Sequence, residues 1–77
     1  MVNCKTLHEA IIFVLESNNN RPMSFDEIAE EIKSQNLWKR KKDNKFPPSY
    51  QIMLRTKVQK AYKSLFVVKD DYVKLNR

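Results

Sequence analysis

The chain of 77 residues contains no glycine, and this limits both its folding and its chemistry more than any motif it carries. Glycine enters the left-handed backbone region without steric cost, and P-loops, dinucleotide-binding turns and nucleophile elbows all depend on it. Those routes to an active site are closed. The single cysteine, Cys4, and the single histidine, His8, cannot form an internal disulfide or assemble a zinc site by themselves. They sit within one helical turn of each other, but no third group completes a catalytic arrangement. A chain this short also has little room for a water-excluded cleft. The expectation is a non-enzymatic protein with no catalytic residues, metal ligands, cofactor or small-molecule substrate.

Without glycine, asparagine, aspartate, serine and proline must punctuate the chain. Thr6-Leu7-His8-Glu9 has the form of a capping box, with Thr6 as N-cap and Glu9 reaching back to it. Leu7, Ala10, Ile11, Val14 and Leu15 follow on one stripe, predicting a helix from Leu7 to Ser17. Ser17-Asn18-Asn19-Asn20 ends it, asparagine taking the left-handed position. Phe13 lies almost opposite the stripe, either under a chain terminus or exposed to a partner. Ser24-Phe25-Asp26-Glu27 is a second capping box, with Met23 and Ile28 placed as a hydrophobic staple. A helix from Phe25 to Gln35 would bury Phe25, Ile28, Ala29 and Ile32 and carry Asp26, Glu27, Glu30 and Glu31 outward. Arg21-Pro22-Met23 before it is extended, with room for a short strand.

Pro47-Pro48 bars a helix from passing through and marks the start of a third, from Ser49 to about Ser64. Leu54, Val58, Ala61 and Leu65 form its apolar stripe, with Tyr62 beside it. Centring the buried face on Val58 turns Ser49, Ile52, Met53, Thr56, Lys60 and Lys63 outward and puts Gln51, Arg55, Lys57 and Gln59 on the flanks. Tyr50, Tyr62 and Trp38 are expected in the core, Trp38 as a lid over the second and third helices. The tail from Phe66 to Leu75 alternates as a β-hairpin about Asp70-Asp71. In that register Phe66 opposes Leu75 and Val68 opposes Val73 on an apolar face, while Val67 opposes Lys74 and Lys69 opposes Tyr72 on the other. The turn departs from the Asn-Gly or Asp-Gly preference of type I′ hairpins.

Composition is ordinary for a globular protein, 42% hydrophobic and 31% charged, so the distribution of charge is more telling than its amount. Residues 1–37 carry three basic and six acidic side chains, residues 38–64 nine basic and one acidic, and residues 65–77 three basic and two acidic. One third of the chain therefore holds a balance of +8. Such a field favours a polyanion, nucleic acid before membrane. No apolar run approaches the ~20 residues of a membrane span, and a cytoplasmic protein is expected, nucleoid-associated in a bacterium.

Three helices closed by a hairpin, with a strand available to widen it, is the order of a winged helix-turn-helix: an α+β fold, mainly helical, spanning 1–77 as a single domain. A third strand would stabilise a hairpin that is marginal alone. The run Pro22…Glu27-Ile28-Ala29-Glu30-Glu31-Ile32…Leu37-Trp38 resembles the HARE-HTH domain. So does the basic turn, the proline-started helix with Gln51-Ile52 and Arg55, then Leu65-Phe66 and a wing ending in Leu75. The resemblance extends from Leu7 to Leu75 and implies a DNA-binding adaptor linked to transcription or to DNA restriction and modification. Two features depart from it. Asp43-Asn44 and Asp70-Asp71 stand where relatives usually have glycine, and the outer face of the second helix is acidic.

The leading reading is double-stranded DNA binding. Lys39, Arg40, Lys41, Lys42 and Lys45 in the loop, with Lys69 and Lys74 on the wing, would hold phosphates. Ser49, Gln51, Arg55, Thr56, Gln59, Lys60 and Lys63 would line the recognition helix, with a glutamine reading adenine and Arg55 guanine. The alternative is a protein-interaction adaptor using the acidic second helix, supported by Phe13 and Trp38. RNA binding is disfavoured, since only Tyr72 is placed to stack a base.

Overall fold

A computed structural model describes residues 4–41, 43–58 and 64–76. These form α1 (Leu7–Ser17), β1 (Met23–Ser24), α2 (Phe25–Ser34), α3 (Ser49–Met53), a π-helical turn continuing it (Leu54–Val58), β2 (Phe66–Lys69) and β3 (Tyr72–Leu75). The three strands make one antiparallel sheet in the order β1-β3-β2. Helices with a three-stranded wing of this order make a winged-helix arrangement, as the sequence suggests.

The predicted hairpin register is the observed one in all four pairs, Phe66 with Leu75, Val67 with Lys74, Val68 with Val73 and Lys69 with Tyr72. The segment before α2 supplies the extra strand, pairing Met23 with Val73. The core is built from Leu7, Ala10, Ile11, Val14 and Leu15 of α1, Ile28 and Ile32 of α2, and Met23, Leu37, Ile52, Phe66, Val73 and Leu75. Burying each large side chain contributes about 1.5–3 kcal/mol. Phe13 and Trp38 are half-buried and pack on this core. That supports the lid expected of Trp38 and removes Phe13 as a fully exposed contact.

Left-handed backbone shows how the chain manages without glycine. Among the described residues, positive φ occurs at Asn19, Asn20, Asn36, Asn44, Asp70 and Asp71, every one an asparagine or aspartate, whose short polar side chains tolerate this region best. Asn19 (φ 59°) ends α1, with Asn20 N–H donating to Leu15 O at 2.7 Å and Asn19 N–H to Glu16 O at 3.2 Å. Asn36 (φ 52°) ends α2 in the same way, with Leu37 N–H to Ile32 O at 3.0 Å and Asn36 N–H to Lys33 O at 3.2 Å. Both are Schellman closures, and the second drives Leu37 into the core. Asp70 (φ 52°) and Asp71 (φ 64°) make the wing turn with both central residues left-handed, as type I′ requires. Asn20 has a second role: its Oδ1 accepts from Leu75 N–H at 2.6 Å, tying the end of α1 to the wing.

The helix starts differ slightly from expectation. At α2 the capping box is complete, Ser24 Oγ accepting from Glu27 N–H at 3.1 Å and Glu27 Oε1 from Ser24 N–H at 3.3 Å. At α1, Thr6 accepts from Glu9 N–H at 3.3 Å, but the Glu9 carboxylate takes Lys5 N–H at 3.4 Å rather than that of Thr6.

The third helix departs most. Its α-helical part ends at Met53 and gives way to the π turn, and its buried face is the opposite of the predicted one. Ile52 and Thr56 lie in the core, 0% and 1% exposed, whereas Val58 is 56% exposed and Tyr50 64%. Thr56 Oγ1 donates to Ile52 O at 3.0 Å. A hydroxyl satisfied within its own helix can be buried with its methyl group, but a hydropathy pattern counts it as polar. The Ile52 carbonyl takes this side-chain bond where the α-helix passes into the π turn. Ala61, Tyr62 and the rest of that predicted helix lie outside the described residues.

Candidate nucleic-acid interface

The basic loop is a closed turn. Arg40 N–H donates to Lys45 O at 2.9 Å and Asn44 N–H to Arg40 O at 2.8 Å, with Asn44 at φ 56°. Asp43 holds the turn from within, pairing with the Arg40 guanidinium (Nε to Oδ1 3.2 Å) and accepting Lys45 N–H at 3.2 Å. Burial in the turn opposes ionisation of Asp43. The hydrogen bonds from Arg40 and Lys45, with their charges, outweigh it and keep the carboxyl below its ordinary range. The one acid of the basic segment thus braces the turn that displays the cations. Lys39 Nζ lies 5.0 Å from the centre of the Phe46 ring, a cation–π contact that anchors the other limb.

On one side of α3, a groove of about 390 Å³ is lined by Lys5, Thr6, Leu7, Trp38, Arg40, Lys41, Gln51 and Arg55. A second, of about 320 Å³, is lined by Arg40, Pro48, Tyr50, Gln51, Leu54 and Arg55. Arg40, Gln51 and Arg55 border both, and among the described residues no acid lines either. The structure therefore brings Arg40, Lys41, Gln51 and Arg55 together, as one interface would need. Lys5 joins them from the start of α1. Sequence reasoning missed it because its charge was averaged into the acidic segment 1–37. The backbone bond from Cys4 N–H to Leu37 O, 2.9 Å, fixes Lys5 beside the loop, and nothing local in the sequence announces such a pairing.

Other predicted contacts lie elsewhere. Thr56 is buried, so its assignment as a DNA contact is corrected: its hydroxyl is spent on Ile52. Ser49 lines a third groove, about 470 Å³, with Asp26, Ala29, Glu30, Lys33, Phe46, Pro47 and Pro48, on the acidic flank of α3. Lys45 is exposed on the turn. Lys69 and Lys74 are exposed and share the outer face of the sheet with Val67 and Tyr72, and neither lines these grooves. Lys42, Gln59, Lys60 and Lys63 lie outside the described residues. Lys57, exposed within the π turn, borders a hollow with Thr56, Phe66 and Val68, between α3 and the wing.

Among the described residues no cluster of histidine, cysteine, aspartate and glutamate is placed to hold a metal, and no helix is long and apolar enough to cross a membrane.

The family model for HARE-HTH, an HTH domain named in part for ASXL and restriction endonuclease, matches residues 5–75. Among curated proteins and solved structures, none matches this chain.

Proposed function

The chain belongs to the HARE-HTH family, and from that premise we propose that it is a non-catalytic module binding duplex DNA through its basic loop, α3 and wing. The family is one of DNA-binding helix-turn-helix domains. The observation that carries the reading is the acid-free groove where Lys5, Arg40, Lys41 and Arg55, from three separate segments, converge beside Gln51. Cations fixed by separate segments neutralise phosphates and set the register of the domain on the duplex. Arg55 then stands beside the base edges, suited to guanine, and Gln51, whose Oε1 is turned in from the surface, would swing outward to pair with adenine. Lys39, Lys45, Lys69 and Lys74 extend the phosphate contacts. Lys42, Gln59, Lys60 and Lys63, outside the described residues, are assigned to the same interface on their sequence alone. The setting is transcription or DNA restriction and modification, inside the cell.

Duplex binding measured by fluorescence anisotropy tests this. Log affinity should fall linearly with log salt between about 50 and 200 mM. Lys5→Ala and Lys41→Ala should each weaken binding to all sequences alike and lower the salt slope by about one. Arg55→Ala should cost about 1–3 kcal/mol at one guanine and relax preference there. No binding at about 50 mM salt, or a flat salt response, sinks the proposal.

The acidic groove supports a second reading, a protein adaptor. Asp26 and Glu30 face a wall of Phe46 and Pro47 there, with Lys33 alongside. Under it, a specific protein partner survives nuclease treatment and is lost when Asp26 and Glu30 are changed to lysine, while duplex DNA is not bound.

A further inference from the structure

The outer face of α3 and its π turn has a composition that the phosphate-binding groove does not explain. Tyr50 is 64% and Val58 56% exposed, and Leu54 between them is half-buried. In a continuous α-helix, with ~100° per residue, positions 50 and 58 would lie ~80° apart. The π turn from Leu54 to Val58 holds more residues per turn, so each step advances less and Val58 is drawn back toward the line of Tyr50 and Leu54. The three side chains form an apolar ridge. Apart from the Tyr50 hydroxyl, the crest carries no hydrogen-bonding group: Thr56 bonds Ile52 O inside the core, and Gln51 Oε1 is shielded, with no partner among the described residues.

This inference rests on the DNA-binding reading and deepens it. We propose that the Tyr50–Leu54–Val58 ridge reads thymine C5-methyl groups in the major groove. That methyl is the one apolar feature that base pairs present there. The flanks of the ridge select a polyanion over an apolar protein surface, because Arg40 and Arg55 line the same hollow as Tyr50 and Leu54, without any acid. From Tyr50 to Val58 the element rises less than the ~12 Å of a continuous α-helix, because the π turn is wider and shorter per residue. It spans roughly three base steps at ~3.4 Å. The ridge therefore fits a short run of A·T pairs, with the cations on the adjoining phosphates.

Removing the methyl alone is the direct probe. Two A·T-rich duplexes of identical sequence are compared, one with thymine and one with deoxyuridine at every such position. The wild-type chain should bind the deoxyuridine duplex about fourfold more weakly for each methyl contacted. Val58→Ser and Tyr50→Ser, both on exposed positions, should abolish the difference and leave the salt slope unchanged. Equal affinity for the two duplexes, with a normal salt slope, overturns the methyl reading and leaves DNA binding intact. A preference that persists in Val58→Ser and Tyr50→Ser also overturns it, since the cause then lies in duplex shape. No binding to either duplex overturns both readings. Self-association of the free chain, abolished by Leu54→Ser and accompanied by indifference to the methyl, assigns the ridge to a second copy instead.

Discussion

Helices α2 and α3 pack against each other, yet they are held by different means. Helix α2 is specified locally at both ends: a reciprocal capping box with a Met23–Ile28 staple at its start, and a Schellman closure on Asn36 at its finish. Helix α3 starts on Pro48 with no side-chain cap and leaves α-helical spacing after five residues. What fixes it is tertiary, the burial of Ile52 and Thr56. The lesson is a separation of duties. The helix whose outer face is acidic is stabilised by its own sequence, and the helix beside the cations depends on the rest of the core.

The largest effects should come from cutting that dependence. Ile32→Ala should lose about 3 kcal/mol in denaturant melts, and Ile52→Ala a similar amount. The two should differ in where the loss appears. After Ile52→Ala, amide exchange should rise first in residues 49–58, because little else holds them, whereas Ile32→Ala should lower protection throughout the core. Equal local exchange in both variants would break the contrast between the helices.

The same contrast explains what was legible in the sequence. Helix α1, helix α2, the added strand and the hairpin register were readable because each is set by nearby residues: a cap, a staple, an alternation of period two. The face of α3 was not, because two signals competed. Leu54, Val58 and Leu65 outweigh Ile52 in a hydropathy pattern, and Thr56 counts as polar although its hydroxyl is satisfied within the helix. The shape of the basic turn was hidden for another reason. It depends on Asp43 serving two partners at once, Arg40 and Lys45 N–H, which charge counting reads only as a subtraction. Lys5 was hidden by distance along the chain, since only the contact of Cys4 with Leu37 brings it to the groove.

A smaller effect tests the origin of the π turn. Thr56→Val keeps the buried shape and removes the hydroxyl that bonds Ile52 O. It should cost about 1 kcal/mol and return Leu54–Val58 toward α-helical spacing, seen as changed carbonyl chemical shifts. A Val58 rotated off the line of Tyr50 and Leu54 should then discriminate thymine from deoxyuridine less well. An unchanged π turn would mean that neighbouring packing, not the hydroxyl, sets it. Smaller again, and of opposite sign, Asp71→Gly should stabilise the wing by up to about 1 kcal/mol by relieving a left-handed residue with a side chain. It should leave α3 exchange untouched if the two regions are independent.

The smallest effect compares one carboxylate from each region. Glu27 at the start of α2 is held below its ordinary range by the Ser24 backbone N–H, with a further contribution from Arg21 at 3.2 Å. Asp43 in the basic turn is held below its range by Arg40 and Lys45 against the cost of burial. A depressed folded pKa means that the unfolded chain binds the proton first. Both groups therefore add stability above the unfolded carboxylate pKa of about 4, and lose it as pH falls through the lower folded value. Melting temperature followed from about pH 5 down to pH 2 should decline less steeply in Glu27→Gln and in Asp43→Asn than in the parent. The two variants part at neutral pH. Glu27→Gln keeps a capping acceptor and should leave DNA affinity unchanged. Asp43→Asn removes the charge facing Arg40 and adds one net positive charge to the turn, so it should steepen the salt dependence of DNA binding, provided the Lys45 N–H still finds the amide oxygen. Weaker binding by Asp43→Asn would show that the turn's shape matters more to the interface than its charge, extending to the basic loop the tertiary dependence seen in α3.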